Sequence, residues 1–436
     1  MNGLYSVILF ITTYCLIASE KINKTIVTII AAGIAILCGL ISFEEAVSAV
    51  DFNVIFLLVG MMVSVHILSK TGFFEWIAIS LAKQAKGEPL FIMLFLLIIT
   101  ALLSAFLDNV TTIILIVPVT ILIAQILEIN PQRFIILEAI ASNIGGTATL
   151  IGDPPNIVIG SHAKLSFNSF LINLGPAILF VFAAFLISVV FISHKNIRIE
   201  NKLKERVLNA LPHLAIIDPK NMKRSLMIFG VMFAGLFFHE KINVEPGLIA
   251  IVASMIMLFV CKHDGDEVIG SAEWGVIFFF IGMFMLVASL KVNGVIAFIG
   301  KSIIVATGHN VLGICLMVLW GSAIFSAILD NIPFVIAMVP LIQGVIDNFS
   351  GQSIDPLVLQ NTISEPLWWS LALGACLGGN GTLIGASANI VMARIAEKNN
   401  CSVRFIRFCK FGIPFTLQSL IITTLYIWLR YFIFNN

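Results

Sequence analysis

A short polar stretch, SAFLDNVTT, interrupts long runs of Ile, Leu, Val and Phe. It carries an acid, an amide and two hydroxyls as Asp108, Asn109, Thr111 and Thr112. Oxygens of these kinds can bind a dehydrated cation or a polar solute. Charged groups inside a membrane are costly, and they usually face a bundle interior or a water-filled cavity. The stretch therefore indicates an ion or solute site, although Asp108 and Asn109 could instead cap a helix.

A second stretch, GGTATLIGDPPN, is predicted to break a helix. Gly145 and Gly146 permit backbone geometry that other residues resist, and the two prolines interrupt helical hydrogen bonding. We expect one half-helix to end near Gly146 and the next to begin near Pro154, with Asp153 as its N-cap. Such a break exposes carbonyl groups for a cation and N–H groups for an anion. The stretch adds these candidate ligands: Gly145, Gly146, Thr149, Asp153 and Asn156.

Both stretches recur in the second half of the chain. SAFLDNVTT matches SAILDNIPF 222 positions later, which makes Asp330 and Asn331 the equivalents of Asp108 and Asn109. GGTATLIGDPPNIV matches GGNGTLIGASANIV at a spacing of 233, which adds these candidates: Gly378, Gly379, Thr382 and Asn389. Among the acids of these two stretches, only Asp153 lacks an acidic equivalent, because Ala386 stands there. We expect Asp153 to set the ion or proton chemistry, the alternative being a plain N-cap.

Four titratable residues are candidates for proton coupling. Three are the acids Asp153, Asp108 and Asp330. The fourth is His66, because histidine titrates near neutral pH. Ala288 replaces it in the second half. A structural hydrogen bond is the alternative role for His66.

Composition places these stretches in a polytopic membrane protein. Of the 436 residues, 59% are hydrophobic and 11% are charged, whereas soluble proteins average about 25% charged. The apolar runs are continuous, which predicts helices rather than barrel strands and hence an all-α fold. The seven cysteines have no CxxC or Cys/His spacing. We expect no disulfide, no cofactor and no structural metal, while sodium at the hairpin tips stays open.

Each half is predicted to hold three spanning helices, a re-entrant hairpin, a broken helix and a last spanning helix. Five crossings per half is an odd number, so the halves are expected to be inverted repeats, as in many secondary transporters. Residues 1–436 then form one transmembrane domain with repeat one at 1–200, a cytoplasmic linker at 194–225 and repeat two at 222–436. In the first half the elements are Leu4 to Ser19, Lys24 to Phe43, Phe52 to Ser69, Pro89 to Leu127, Phe134 to Ser161 and Phe170 to Ser193.

We expect the protein in the plasma (inner) membrane, and the distribution of lysines and arginines favours one orientation there. With the linker in the cytoplasm and both termini outside, all but five of the 25 lysines and arginines lie inside. The amphipathic segment from Gly72 to Lys86 is expected on the inner surface. The five exceptions are Lys164, Lys241, Lys291, Lys301 and Arg430.

The paired motifs resemble those of the ion transporter superfamily. The chain looks most like the branch that holds arsenite permeases, NhaD-type sodium/proton antiporters and the melanosomal P protein. The resemblance covers nearly the full length and implies inverted repeats with transport that is often of an elevator type. From the related dicarboxylate/sodium symporters it implies sodium and substrate contacts at these positions: Asn109, Thr111, Gly146, Thr149, Asn156, Asn331, Gly379, Thr382 and Asn389.

The expected function is secondary active ion transport. The anionic centre argues for proton-coupled export of a cation such as sodium, or of arsenite or antimonite. The alternatives are a sodium-coupled importer of a di- or tricarboxylate and a passive channel. No HExxH or GxxxxGK[ST] motif is present, so we expect no enzyme and no primary pump. Membrane lipid and a small ion or oxyacid are the expected partners; a homodimer and a soluble ATPase stay open, and no nucleic acid is expected.

Overall fold

The chain folds as helices throughout the part that the computed structural model describes, which is residues 2–19, 21–193, 200–307, 310–350 and 356–434. No β-strand occurs in these ranges. The helices of the first half and linker are α1 Asn2–Ala18, α2 Lys24–Leu37, α3 Phe43–Ser48, α4 Phe52–Ser69, α5 Phe73–Gln84, α6 Pro89–Phe106, α7 Asn109–Ile126, α8 Gln132–Gly146, α9 Pro154–Ala163, α10 Phe167–Asn173, α11 Gly175–Ser193 and α12 Asn201–Leu208. Those of the second half are α13 Pro219–Ile242, α14 Pro246–Cys261, α15 Gly265–Gly270, α16 Trp274–Val292, α17 Val295–Thr307, α18 Val311–Ile328, α19 Asn331–Ser350, α20 Pro356–Leu359, α21 Glu365–Gly378, α22 Ser387–Lys398 and α23 Phe405–Ile427.

Within the described ranges, nine helical stretches are long and apolar enough to cross a membrane. They include both arms of each hairpin, α6 with α7 and α18 with α19. Length alone therefore does not distinguish a re-entrant hairpin from two full crossings. Helices α1, α2 and α14 are apolar but shorter. The all-α polytopic fold expected from the sequence is the fold observed.

The two halves pack through reciprocal contacts. Helix α4 lies against α14, and its sequence equivalent α16 lies against α2, the equivalent of α14. In the same way, α9 packs on α19 of the other half while α22 packs on α7. When element A of one copy meets element B of the other and the reverse also holds, the copies are related by a two-fold operation. The inversion of the halves across a membrane stays a prediction.

Two expected spanning helices are interrupted within their apolar sequence. The helix from Lys24 was expected to reach Phe43, but α2 ends at Leu37 because Gly39 adopts a φ of +68°. A left-handed glycine of this kind terminates helices. The short helix α3 then begins at Phe43, after its N-cap Ser42, which forms a capping box with Glu45. Hydrogen bonds from Ser42 lower the pKa of the Glu45 carboxyl.

The helix expected from Phe170 to Ser193 is likewise divided. α10 begins earlier, at Phe167, because Ser166 caps it by accepting the N–H of Ser169. It ends at Asn173, and α11 follows from Gly175. Pro176 lacks the N–H that a continuous helix would need at this point.

The linker covers the open end of the first hairpin. Lys204 Nζ pairs with Glu88 at 2.5 Å, beside the start of α6, and Arg206 pairs with Glu128 at 3.2 Å, just after α7. The linker also contacts α5, where Lys83 donates to the carbonyl of Ala210 at 3.0 Å. Residues 194–199 of the expected linker lie outside the described residues, and α13 begins within its last part.

Candidate functional site

The first hairpin turns at Asp108, which caps its second arm. The Asp108 carboxylate accepts the backbone N–H of Thr111 at 2.8 Å and also the Thr111 hydroxyl. Asp108 is thus an N-cap, as one interpretation of the sequence held. Thr112 turns its hydroxyl to the backbone carbonyl of Asp108 at 3.0 Å, inside the helix. Asn109 is buried and directs its amide away from the helix.

Asp153 lies where both hairpin tips meet. Its carboxylate accepts Nδ2 of Asn109 at 3.2 Å and Nδ2 of Asn331 at 3.2 Å and 3.3 Å, one amide from each tip. Asp153 stands at the start of α9, but its side chain makes no capping hydrogen bond. Asp153 therefore holds the N-cap position that the sequence predicts, but the alternative that its carboxylate is a plain helix cap is wrong. Its carboxylate is fully buried and bound to the amides of the two hairpins.

A third amide, which the sequence interpretation missed, links the halves. Asn143 accepts Nδ2 of Asn109 at 3.1 Å and donates to Oδ1 of Asn389 at 3.0 Å and of Asn380 at 2.9 Å. It lies on α8 two residues before Gly145, within the helix just ahead of the repeated motif. Its equivalent is Cys376, whose Sγ contacts Oδ1 of Asn156 at 3.4 Å. The contacts are reciprocal again, so the pseudo-two-fold relation extends to single side chains.

Threonine and asparagine hold each break closed in the same way. Thr149 donates to the carbonyl of Ala105, and Thr382 donates to that of Ala327 in the other half. Asn156 donates to the carbonyls of Thr147 and Thr149 at 3.2 Å and 2.9 Å. Asn389 donates to those of Gly379 and Thr382 at 2.9 Å and 3.0 Å. These side chains replace the backbone bonds that the break removes.

The repeated glycines are needed for space rather than for unusual backbone angles. Neither Gly145 nor Gly146 has a positive φ. A Cβ at Gly145 would lie 2.1 Å from the carbonyl oxygen of Ala101 on α6, and one at Gly378 would lie 2.5 Å from Cα of Ala323 on α18. Each hairpin arm therefore touches its broken helix backbone to backbone. The close contact fixes the tip against the break.

The second hairpin tip carries an ion pair that its counterpart lacks. Lys24, at the start of α2, places Nζ 2.6 Å from Oδ2 of Asp330 and 3.0 Å from Oγ of Ser387. Ser387 also donates to Asp330 at 2.7 Å. The charge count placed Lys24 on the cytoplasmic surface, but its side chain reaches the hairpin tip. In the sequence, a lysine next to an apolar run looks like a charge that flanks a membrane-spanning helix. Only its contact with Asp330, distant in the sequence, shows that it has another role.

His66 is not part of this cluster. It lies in the last turn of α4, where its charged neighbours are Lys70, Glu267 and His263. Its Nε2 has no hydrogen-bond partner among the described residues. His66 is therefore separate from the acids at the hairpin tips.

The cluster is closed to solvent in this conformation. Asp153, Asn143, Asn156 and Asn389 are 0% exposed, and Asp108 is 9% exposed. Burial strengthens each electrostatic contact because the surroundings polarise less than water. A solute can therefore reach these groups only after a change of conformation.

Comparison with known proteins agrees with this architecture. Residues 14–374 match the family model described as citrate transporter (CitMHS). The chain belongs to this family. An uncharacterized transporter of Mycobacterium tuberculosis is 38% identical over 432 residues, and the alignment covers 98% of both chains. This family member is therefore a membrane transporter, and the resemblance to the ion transporter superfamily is confirmed.

Two further relatives extend the comparison. The human P protein is 30% identical over 488 residues, which cover 93% of this chain and 57% of the P protein. The YdaH transporter of Alcanivorax borkumensis shares the fold, with a TM-score of 0.55, 12% identity and 98% coverage of both chains. The family member thus has the fold of a solved transporter with little sequence identity to it.

Proposed function

We propose that the chain is a secondary active transporter that exchanges a cation, with sodium as the first candidate, against protons at Asp153. One observation carries the proposal: a fully buried carboxylate, present in one half only, receives an amide from each hairpin tip. A residue that both moving elements contact can couple its occupancy to their position. The carboxylate of Asp108, on the same hairpin tip as Asn109, is the next candidate oxygen ligand for a dehydrated cation.

The exchange follows from the cost of burying a charge. A buried carboxylate is expensive unless a positive partner or a proton compensates it. Within the described ranges, no lysine or arginine forms an ion pair with Asp153 or Asp108. A cation and a proton then compete for the same oxygens. If Asp153 is exposed alternately to the two sides of the membrane, competition between the cation and the proton for this carboxylate is sufficient for antiport.

A neutral oxyacid is the other export substrate that fits an anionic centre. Arsenous or antimonous acid can donate hydroxyl protons to Asp153 and accept from Asn109 and Asn331. Such a solute would add no negative charge to the three acids of the cluster. Its export would be coupled to protons in the same way.

A sodium-coupled importer of a di- or tricarboxylate is the second candidate, and the family description favours it. The N-terminal ends of α9 and α22 face the breaks, and helix N-termini attract anions. The ammonium of Lys24 adds one positive charge. Against it stand Asp108, Asp153 and Asp330, because like charges in a buried site repel one another.

Proteoliposomes with an internal pH-sensitive dye distinguish these candidates. Vesicles are acid-loaded, and sodium, lithium, arsenite or citrate is added in turn. We expect dequenching by sodium or lithium, since an incoming cation releases a proton outward. Silence with every cation, combined with arsenite flux, would select the oxyacid; citrate uptake that needs sodium would select the importer.

The proposal extends to the membrane in which the protein lies, its orientation there and its assembly. We place the protein in the plasma membrane with residues 194–225 in the cytoplasm and both termini outside. Lys204 and Arg206 pair with Glu88 and Glu128 of the same chain, so part of the basic linker already has an internal partner. A soluble ATPase therefore has less charge to bind there, and a homodimer is the simplest assembly to test.

A further inference from the structure

The two hairpin tips are equivalent in sequence but differ in how their acids are satisfied. Asp108 accepts both the N–H and the hydroxyl of Thr111. The position equivalent to Thr111 is Pro333, which has neither an N–H nor a hydroxyl. Asp330 therefore cannot cap its helix by accepting an N–H and a hydroxyl from this position. Its oxygens require another partner.

That partner is a lysine from a distant part of the chain. Lys24 Nζ and Ser387 Oγ both lie on Oδ2 of Asp330, at 2.6 Å and 2.7 Å. The ammonium also lies 5.1 Å from the ring centroid of Phe279 on α16, within the range of a cation–π contact. The equivalents of Lys24 and Ser387 are Pro246 and Pro154. The first hairpin tip, at Asp108, can thus form no such arrangement.

The position of Lys24 is not explained by the stability of its own helix. It occupies the first residue of α2, where the helix dipole disfavours a cation. The side chain is only 29% exposed, and that of Asp330 is 10% exposed. Placing an ammonium here is costly, and the carboxylate, the hydroxyl and the aromatic ring compensate the cost.

The oxygens around Lys24 Nζ are also suited to an inorganic cation. A carboxylate and a hydroxyl are oxygen ligands of the kind that small hard cations take. Asp330 Oδ1 is buried and has no hydrogen-bond partner among the described residues, so it has lone pairs to spare. An ammonium is a compact point charge of the same sign as the cation it would replace.

We infer that the second hairpin tip is a cation site whose cation is the chain's own Lys24 ammonium. The pseudo-equivalent tip, with Asp108 and Asp153, then takes the external cation. The inference rests on the proposed function for the role of the first tip, but the identity of the second site does not depend on it. It predicts that removal of the lysine converts an internal cation site into an external one.

Melting temperatures in sodium and in choline chloride test this prediction on purified full-length protein. In Lys24→Ala we expect a larger sodium-minus-choline shift than in the wild type, because sodium binds the vacated site and stabilises the folded state. Lys24→Met, whose apolar side chain retains much of the lysine stem, is the second variant and should show the same direction. The matched control is Lys70→Ala, which breaks the ion pair with Glu267 far from the tip and should leave the shift unchanged.

The double variant Lys24→Ala/Asp330→Asn completes the test. It removes the carboxylate, so the gained sodium effect should disappear. In transport, the Hill coefficient for sodium should rise from about 1 in the wild type toward about 2 in Lys24→Ala, because a second sodium ion must then replace the ammonium before the transporter turns over. The inference is overturned if Lys24→Ala and Lys24→Met gain no sodium-dependent stabilisation.

These results separate the inference from the proposed function. Gain of sodium stabilisation in Lys24→Ala, with no sodium-driven proton flux in the wild type, would keep the second site and reject the exchange. Sodium-driven flux in the wild type, with no gain in either lysine variant, would keep the exchange and reject the second site.

Discussion

At the scale of single residues, the two halves share their scaffold and differ in their charges. Thr149 and Thr382 make the same bond, as do Asn156 and Asn389. Asp153 has no equivalent acid in the second half, and Lys24 has no equivalent base. At the hairpin tips and breaks, the symmetric framework thus carries one acid and one base that have no equivalent in the second half. We expect these single-copy charges to determine what is transported.

Asp153→Asn should abolish cation-driven proton flux while the protein stays folded. The amide keeps the size of the carboxylate but neither binds a proton in the working pH range nor adds charge for a cation. Asp264→Asn is the matched control, because Asp264 is a true N-cap that accepts the N–H groups of Asp266 and Glu267. The control should keep its transport rate. Undiminished flux in Asp153→Asn would show that the acid is dispensable.

Asn143→Ala should destabilise the protein more than replacement of a surface asparagine by alanine does. Removal of this amide leaves Oδ1 of Asn380 and of Asn389 without the N–H groups that they accept, at a cost of about 1–3 kcal/mol for each unsatisfied group. Nδ2 of Asn109 keeps its bond to Asp153. The control is Asn399→Ala, whose amide bonds a carbonyl at an exposed helix end. Thermal unfolding in detergent measures both. Equal melting temperatures would contradict the central role of Asn143.

Repetition in the sequence decides which site residues could be predicted. The acids, amides and threonines of the tips and breaks stand out because each recurs with its neighbours. Asn143 was missed because its equivalent is Cys376, which hides the match. Lys24 was misjudged because its contact spans more than 300 positions, and no local pattern reports such a contact.

At the scale of elements, backbone contact between a hairpin arm and a broken helix holds each tip in place. Gly145→Ala should disrupt it, because the new Cβ would lie 2.1 Å from the Ala101 carbonyl oxygen. We expect a loss of about 1–3 kcal/mol in the free energy of unfolding, or more, together with a lower transport rate.

Gly230→Ala is the control for this substitution. It lies in α13 with no atom within 4 Å of the added Cβ. Its stability should stay within about 1 kcal/mol of the wild type, since alanine is the better helix former. Thermal unfolding of Gly145→Ala and Gly230→Ala measures the difference. Equal melting temperatures of the two variants would contradict close backbone packing at the hairpin tip.

Helix existence was predictable from apolar runs, whereas helix ends depended on local chemistry. The breaks in α8–α9 and the turn after Phe106 follow from glycine, proline and aspartate in the sequence. The stop at Leu37 required recognition that Gly39 takes a left-handed conformation. The division at Leu174 required the effect of Pro176, which an uninterrupted apolar run conceals.

At the scale of the whole molecule, reciprocal packing makes the centre a junction of two copies. The contacts α4 with α14 and α2 with α16 mirror one another, as do α9 with α19 and α22 with α7. Both hairpin tips meet at Asp153 as a consequence. The repeat could be derived from the sequence, but the meeting of the two copies at one carboxylate could not.

The predicted orientation has a direct test on intact cells. Cysteines are introduced at the exposed residues Lys202 and Lys241 after Cys15 and Cys38 are replaced by serine. A membrane-impermeant maleimide should label Lys241→Cys and should label Lys202→Cys only after the cells are opened. Labelling of both positions from outside would contradict a cytoplasmic linker followed by a membrane crossing of α13.

The central claim is exchange of a cation against protons at Asp153, and uphill sodium movement tests it most directly. Proteoliposomes that hold an acidic interior receive radioactive sodium at equal concentration on both sides. The account predicts that the wild type accumulates sodium above equilibrium while the pH gradient lasts, and that Asp153→Asn only equilibrates. Wild-type vesicles that merely equilibrate would indicate a channel, and accumulation by Asp153→Asn at the wild-type rate would contradict the assigned site.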